Sequence, residues 1–144
     1  MPADRGCLDR FRVASAKLGL NIDLDLLVCE GFFASGVAVT LDVLATANAV
    51  HAQTVGGPEP FRWRVLSTEG ESVTSSSGLR LAVDGAWGDA RAGHRMAFGV
   101  GMADVEAIER AVESPRGRRV IQCLSEAHAD GVTLMASCSS TFLL

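Results

Sequence analysis

One short segment near the end of the chain has the residue types and spacing of a nucleophilic site. Cys138 stands between Ser137 and Ser139, after an apolar run and before a stretch typical of a helix start. A sharp strand-to-helix turn needs small neighbours and presents its central side chain at the carboxyl edge of a sheet. The positive end of the following helix favours a thiolate and an oxyanion. Spacing alone leaves a second interpretation equally open, in which Cys138 is simply a small residue at a crowded turn.

A glycine pair and one carboxylate are the other candidates for a site at that edge. Gly99, Val100 and Gly101 follow a predicted strand and precede a predicted helix. A dinucleotide loop is not expected, since Asp104 replaces the third glycine of the fingerprint. We predict instead that the two glycines let backbone N–H groups approach a ligand over Cys138. Glu30 ends the first predicted strand and is either a ligand contact or a solvated loop residue.

A catalytic thiol needs a base, and no base can be assigned from the sequence. The three histidines are His51, His94 and His128, and none has a spacing that ties it to Cys138. The four cysteines form no CxxC pair, so neither a metal site nor a disulfide framework is predicted, and no cofactor is expected. We expect the remaining cysteines that lie in apolar runs, Cys29 and Cys123, to be small buried hydrophobes.

The elements that must position these residues alternate between strands and helices. The predicted elements are a strand at 24–29, a helix at 37–52 capped by Ser35, a strand at 61–67, two short strands within 72–83, a strand at 95–98, helices around 105–112 and after Ser114-Pro115, a strand at 132–136, and a helix start from 137. This order predicts an α/β fold, a three-layer doubly wound sandwich with a mostly parallel, flavodoxin-like sheet.

The chain is expected to divide into a short arm and one partial domain. Residues 1–22 are predicted to be a polar arm, loosely helical or disordered, and residues 23–144 to be the domain. Phe142, Leu143 and Leu144 are apolar, whereas domain boundaries usually fall in polar linkers. We therefore expect a C-terminally truncated domain.

Composition argues against two classes of partner. The 144 residues carry a net charge of −4, and the arginines are scattered, so no nucleic-acid surface is predicted. Arg116, Arg118 and Arg119 form the densest basic group, which we interpret as a solvated helix start. No apolar run is long enough to cross a membrane and the first 20 residues lack a signal-peptide core, so we expect no membrane contact and a cytoplasmic location.

Five segments together resemble the ThiJ/PfpI, class I glutamine amidotransferase-like superfamily, and in particular its branch fused to AraC-type DNA-binding domains. They are the first strand with Glu30-Gly31-Phe32, LDVLATAN at 41–48, TSSSGL at 74–79, Gly99-Val100-Gly101, and ASCSSTFLL at 136–144. The resemblance implies an effector-sensing, homodimeric domain of a transcription regulator. It would bind a small amine or amino-acid derivative near Gly99, Val100, Gly101, Cys138, Ser139 and Glu30, while a C-terminal domain absent from this chain would bind DNA.

Three departures from the family pattern weigh against catalysis. The family's acidic partner of the cysteine falls at Gly36, Ser140 stands where the turn normally has glycine, and the family's histidine would lie beyond Leu144. A thiol without acid or base loses most of its catalytic assistance, so the resemblance implies a non-catalytic sensor more than a hydrolase. The alternatives are a fragment of a cysteine-dependent enzyme of isonitrile hydratase, glyoxalase-like or amidase type using Cys138, and a fragment with no function of its own.

Overall fold

The computed structural model describes residues 21–101 and 105–143. Seven strands and three α-helices follow one another along this part of the chain: β1 (Ile22–Val28), α1 (Ala34–Thr54), β2 (Phe61–Ser67), β3 (Val73–Thr74), β4 (Arg80–Leu81), β5 (Gly85–Ala86), β6 (His94–Phe98), α2 (Val105–Glu113), α3 (Pro115–Ala129) and β7 (Thr133–Ser137). Short 3-10 helices occupy Trp87–Asp89 and Cys138–Leu143.

Five strands form one parallel sheet in the order β5-β2-β1-β6-β7. The antiparallel pair β3 and β4 forms a separate two-stranded hairpin. From β1 the chain adds β2 on one side and β6 and β7 on the other. A switch point therefore lies between β1 and β6, and in open α/β sheets ligands bind at such a point, outside the carboxyl ends of the strands.

Helices cover both faces of the sheet, as the alternation of elements predicts. Along β1, Leu24, Leu26 and Val28 pack in the cluster that includes α1. Leu27 points to the opposite face, in the cluster that includes Leu124 of α3. The predicted α/β fold, a doubly wound sandwich with a parallel sheet, is confirmed.

The two long helices begin in different ways. The predicted start of α3 at Ser114-Pro115 is confirmed: the Gly117 N–H donates to Ser114 Oγ at 2.9 Å, and Pro115 is the first residue of the helix. The predicted Ser35 cap of α1 is wrong, because the helix begins at Ala34 and its N-cap residue is Phe33. The Phe33 N–H instead donates to the Gly99 carbonyl at 3.0 Å, so a tertiary hydrogen bond anchors this helix start.

Several burial predictions are wrong. The apolar residues on nearly all sides of α1 predict a helix that is covered on two sides, yet Val39, Val43 and Val50 are 61%, 60% and 47% exposed. Cys123 is exposed rather than buried. The apolar run at 132–136 predicts a buried strand, yet β7 is the outermost described strand on its side and is only partly buried. Periodicity reveals which residues share a face but not what covers that face.

Most of the predicted arm, 1–22, lies outside the described residues, and β1 already takes in Ile22. Within 21–101 and 105–143, no helix is both long and apolar enough to cross a bilayer. The same part of the chain holds no cluster of three His, Cys, Asp or Glu side chains that could bind a metal ion.

Candidate functional site

Cys138 sits on a sharp turn directly after β7. Its φ of +61° is the single positive φ at a non-glycine position in the described residues, and its side chain is exposed. This left-handed backbone is uncommon for a residue with a Cβ and often marks a functional turn. The thiol is therefore presented to solvent at the carboxyl edge of the sheet, in the geometry of a nucleophile elbow. Its role in ligand binding or catalysis stays a prediction.

Ser140 holds this turn together in place of the expected glycine. Its side chain is buried, with 1% of the residue exposed. The hydroxyl accepts from the Ser137 N–H at 2.8 Å and lies 2.8 Å from the Ala97 carbonyl and 2.7 Å from the Ser137 carbonyl. The departure from the family pattern therefore adds hydrogen bonds across the elbow.

The glycine pair makes room for neighbouring protein atoms. A Cβ at Gly99 would lie 2.7 Å from Ser139 Oγ, and one at Gly101 would lie 2.5 Å from Ser76 Cβ. The Val100 N–H donates to Ser139 Oγ at 3.1 Å, and the Gly101 N–H donates to the Gly31 carbonyl at 2.8 Å. The backbone donors of this loop are thus engaged within the protein.

Gly36 lies beside the elbow, at the position where the family pattern has its acid. A Cβ at Gly36 would lie 3.8 Å from Ser137 Oγ and 3.6 Å from Phe98 Cδ1, which is ordinary contact. A Cβ therefore fits at position 36 next to the turn, but residue 36 carries no carboxylate.

The three histidines lie toward the opposite edge of the sheet from Cys138. His94 begins β6, four residues or about 13 Å along the strand from Phe98, which pairs with Ser137. His51 and His128 lie in the last turns of α1 and α3, and both helices start at the carboxyl edge and run back across the sheet. No described histidine is thus placed to act as a base for Cys138.

A cavity of about 260 Å³ opens at the switch point between β1 and β6. Its walls come from the residues after these two strands, from α2, from the start of α3 and from the elbow. Of the six predicted site residues, Glu30, Val100, Gly101 and Ser139 line it, whereas Gly99 and Cys138 do not. The predicted residues therefore fall into two neighbouring groups, one at the cavity and one at the exposed thiol.

Arg116 is a cavity residue that the sequence interpretation missed. It was assigned to a solvated helix start, yet it lines the cavity and is half-buried. Its Nη2 donates to Thr68 Oγ1 at 2.6 Å, and its buried Nε has no hydrogen-bond partner among the described residues. The signal that could have found it is the Ser114-Pro115 cap, because the start of α3 must lie at the carboxyl edge of the sheet.

Cys29 and Glu30 bring two further polar groups to this cavity. Burial raises the pKa of the Cys29 thiol above its ordinary value, the charge of Arg116 acts in the opposite direction, and the charge of Glu30 adds to the rise. Glu30 is exposed, and its Oε2 accepts from the Thr74 N–H at 3.0 Å. Glu30 thus joins the end of β1 to the hairpin while lining the cavity.

Comparisons with known proteins agree with the resemblance seen in the sequence. No family model matches the chain. The HTH-type transcriptional regulator CdhR of Pseudomonas aeruginosa is 29% identical over 115 residues, which cover 80% of this chain and 30% of that protein. An AraC family transcriptional regulator from Pseudomonas putida has a TM-score of 0.58 at 23% identity, covering 80% of this chain and 63% of its own. A ThiJ/PfpI family protein from Pseudomonas syringae has a TM-score of 0.56 at 14% identity, with 91% and 48% covered.

The chain has the ThiJ/PfpI-type fold, and its similarities include a regulator in sequence and an AraC-family regulator in structure. It spans about a third of the length of the curated relative and about half to two thirds of the solved chains.

Proposed function

We propose that this chain is the effector-sensing part of an AraC-family transcription regulator. The observation that carries the proposal is an elbow with a positive φ at Cys138, with glycine at position 36 and no described histidine placed to act as a base, next to a cavity at the switch point of the sheet. Such an arrangement retains a ligand site at the sheet edge while lacking the groups that would make Cys138 an efficient nucleophile. The similarity to CdhR supports the same function.

The site of the proposal is the carboxyl edge bounded by Glu30, by Gly99 to Gly101, and by Cys138 and Ser139. A small amine or amino-acid derivative bound there would act by stabilising one of two states of a homodimer, because a ligand shifts an equilibrium only through differential affinity. DNA would be bound by another domain, which is consistent with the net charge of −4 on this chain.

A second candidate is a cysteine-dependent ThiJ/PfpI-type enzyme that uses Cys138. The positive φ and the exposed thiol of Cys138 favour it, because these are the features that a nucleophile needs. The two functions differ in whether the thiol is required.

The test measures binding and turnover on the same preparations of wild-type protein and Cys138→Ala. L-Arginine, L-carnitine and glycine betaine serve as probes in thermal unfolding, with sedimentation velocity to follow the assembly state. We expect at least one probe to raise Tm in both proteins and to change the assembly state. We expect no Cys138-dependent hydrolysis of amides or conversion of glyoxals.

Cys123→Ala is the matched control, because Cys123 is also exposed but lies on α3, outside the cavity lining. Turnover that Cys138→Ala abolishes and Cys123→Ala leaves intact would assign the chain to the enzyme class. A panel in which every probe leaves Tm and the assembly state unchanged would count against the sensor.

A further inference from the structure

We infer that the cavity between β1, β6, α2 and α3 binds a small carboxylate with an apolar body, held by the guanidinium of Arg116. This inference rests on the proposed sensing function and names the ligand chemistry of the cavity. The elbow thiol is not part of this pocket, since Cys138 does not line it.

Arg116 brings a positive charge to the cavity. Arginine remains protonated in proteins, and its fork-shaped donors match a carboxylate. In the described part of the chain Arg116 forms no ion pair, and its single side-chain acceptor is the neutral hydroxyl of Thr68. The carboxylate of Glu30 lines the same cavity without pairing with Arg116, and it accepts from the Thr74 N–H instead. A half-buried guanidinium that pairs with no described carboxylate therefore lines the pocket.

The close approach of α2 and α3 positions Arg116 at the cavity. Gly117 is buried where α2 turns into α3, and a Cβ there would overlap the carbonyl oxygens of Ala111 and Val112. The two helices are therefore as close at this point as their backbones allow. The Gly117 N–H is already satisfied by Ser114 Oγ, so the guanidinium, rather than this first-turn amide, is the donor available to an anion.

The other walls of the cavity are largely apolar. The apolar side chains that line the cavity are Phe98, Val100, Ile108, Ala111, Val112 and Val120. The exposed carboxylate of Glu30 also lines the cavity, so Arg116, the one cation among the described lining residues, can neutralise at most a monoanion. A phosphate dianion would keep an uncompensated charge in an apolar space at high desolvation cost. A volume of about 260 Å³ lies just below the usual range for drug-sized ligands of about 300–1,000 Å³, which suits a small molecule.

The test uses hexanoate as the probe and hexanamide as its uncharged isostere on the wild-type chain. Occupancy is measured by the protection of Cys29 from iodoacetamide, resolved by peptide mass spectrometry. Cys29 lines the cavity and the exposed Cys123 lies outside it, so Cys123 serves as an internal reference. We expect hexanoate to protect Cys29 and not Cys123, and hexanamide to need a concentration at least about tenfold higher, because it lacks the charge-assisted hydrogen bonds to Arg116.

Variants then assign the effect to one side chain. Arg116→Gln should raise the half-protecting hexanoate concentration at least about tenfold, and Arg116→Lys should raise it less because a charge remains. Arg119→Gln is the matched control, since Arg119 is exposed on α3 outside the cavity. Equal protection by amide and carboxylate, or full protection in folded Arg116→Gln, would overturn the inference. The comparison of hexanoate with hexanamide on the wild-type protein tests the carboxylate site even if Arg116→Gln does not fold.

The outcomes separate this inference from the proposed function. Protection of Cys29 by hexanoate through Arg116, in a chain whose assembly state responds to no probe, would support the cavity chemistry and contradict the sensor. A probe that changes the assembly state while no carboxylate protects Cys29 would support the sensor and contradict the carboxylate site.

Discussion

At the scale of single residues, Ser140 carries the geometry of the elbow. Its hydroxyl is buried and contacts the Ser137 N–H and the Ala97 carbonyl, so it ties the turn after β7 to the neighbouring strand β6. A buried donor or acceptor that loses its partner costs the full desolvation of that group. The exposed position of Cys138 therefore depends on a side chain two residues further along the chain.

Ser140→Ala should lower the free energy of unfolding by about 1–3 kcal/mol, because it leaves the Ser137 N–H and the Ala97 carbonyl without this partner. Urea denaturation followed by circular dichroism measures the change. Ser125→Ala is the control, because Ser125 is exposed on α3 and surface substitutions usually change stability by less than about 0.5 kcal/mol. Equal midpoints for the two variants would mean that the Ser140 hydroxyl does not hold the turn.

At the scale of elements, two Asp–Arg pairs join β1 and β2 in register. Asp25 is completely buried; its Oδ1 accepts from Arg64 Nη2 at 2.7 Å and its Oδ2 accepts from the Arg91 and Ala92 N–H groups at 2.6 and 2.8 Å. Two positions earlier, the Asp23 carboxylate accepts from Arg62 Nε at 2.8 Å, with both side chains more than half exposed. The same two strands thus hold one Asp–Arg pair whose carboxylate is buried and one Asp–Arg pair that is exposed to solvent.

Asp25→Asn should lower the free energy of unfolding by about 2–4 kcal/mol, since an amide cannot accept all of these hydrogen bonds and Arg64 loses its buried partner. The figure is below that of a fully buried pair because the Arg64 side chain is 41% exposed. Asp23→Asn on the same strand should leave the urea midpoint nearly unchanged, because exposed ion pairs contribute little. Equal losses in the two variants would contradict the assigned roles.

Local chemistry made some elements predictable and left others open. The Ser114 side chain caps α3, Pro115 is its first residue, and Gly131 adopts φ +79° just beyond its end. Neighbouring residues were therefore sufficient to locate α3. The start of α1 depends on a hydrogen bond from Phe33 to Gly99, 66 positions away, and no local pattern carries that information.

Local sequence patterns likewise predicted only part of the candidate site. Strand ends locate Glu30, Gly101 and Ser139 at one edge, because parallel strands end together. Arg116 stands in a basic run that resembles a solvated face, and its burial is decided by how closely α2 and α3 approach at Gly117. Packing between helices therefore distinguishes the arginine that lines the cavity from its exposed neighbours.

At the scale of the whole molecule, the outer surface of α1 is the feature that the fold leaves unexplained. Val39, Val43 and Val50 fall on one stripe of the helix at intervals of four and seven residues, and all three are exposed. Exposed apolar patches on a protein surface commonly mark contacts between proteins. In the proposed homodimer this stripe is the surface most suited to a second copy of the chain.

Val39→Lys combined with Val43→Lys should convert the proposed dimer to monomer in sedimentation velocity, because each dimer would bury four ammonium groups against an apolar surface. The matched control is Ala45→Lys combined with Ala49→Lys, which adds the same charge at exposed positions of α1 away from the stripe. This control should remain dimeric. A dimer that survives the valine substitutions, or that the alanine substitutions disrupt equally, would place the interface on another surface. In that event the exposed valines would belong to the surface of a sensor that assembles elsewhere, and the ligand-dependent change would have to be sought at the edge that holds Cys138 and the cavity.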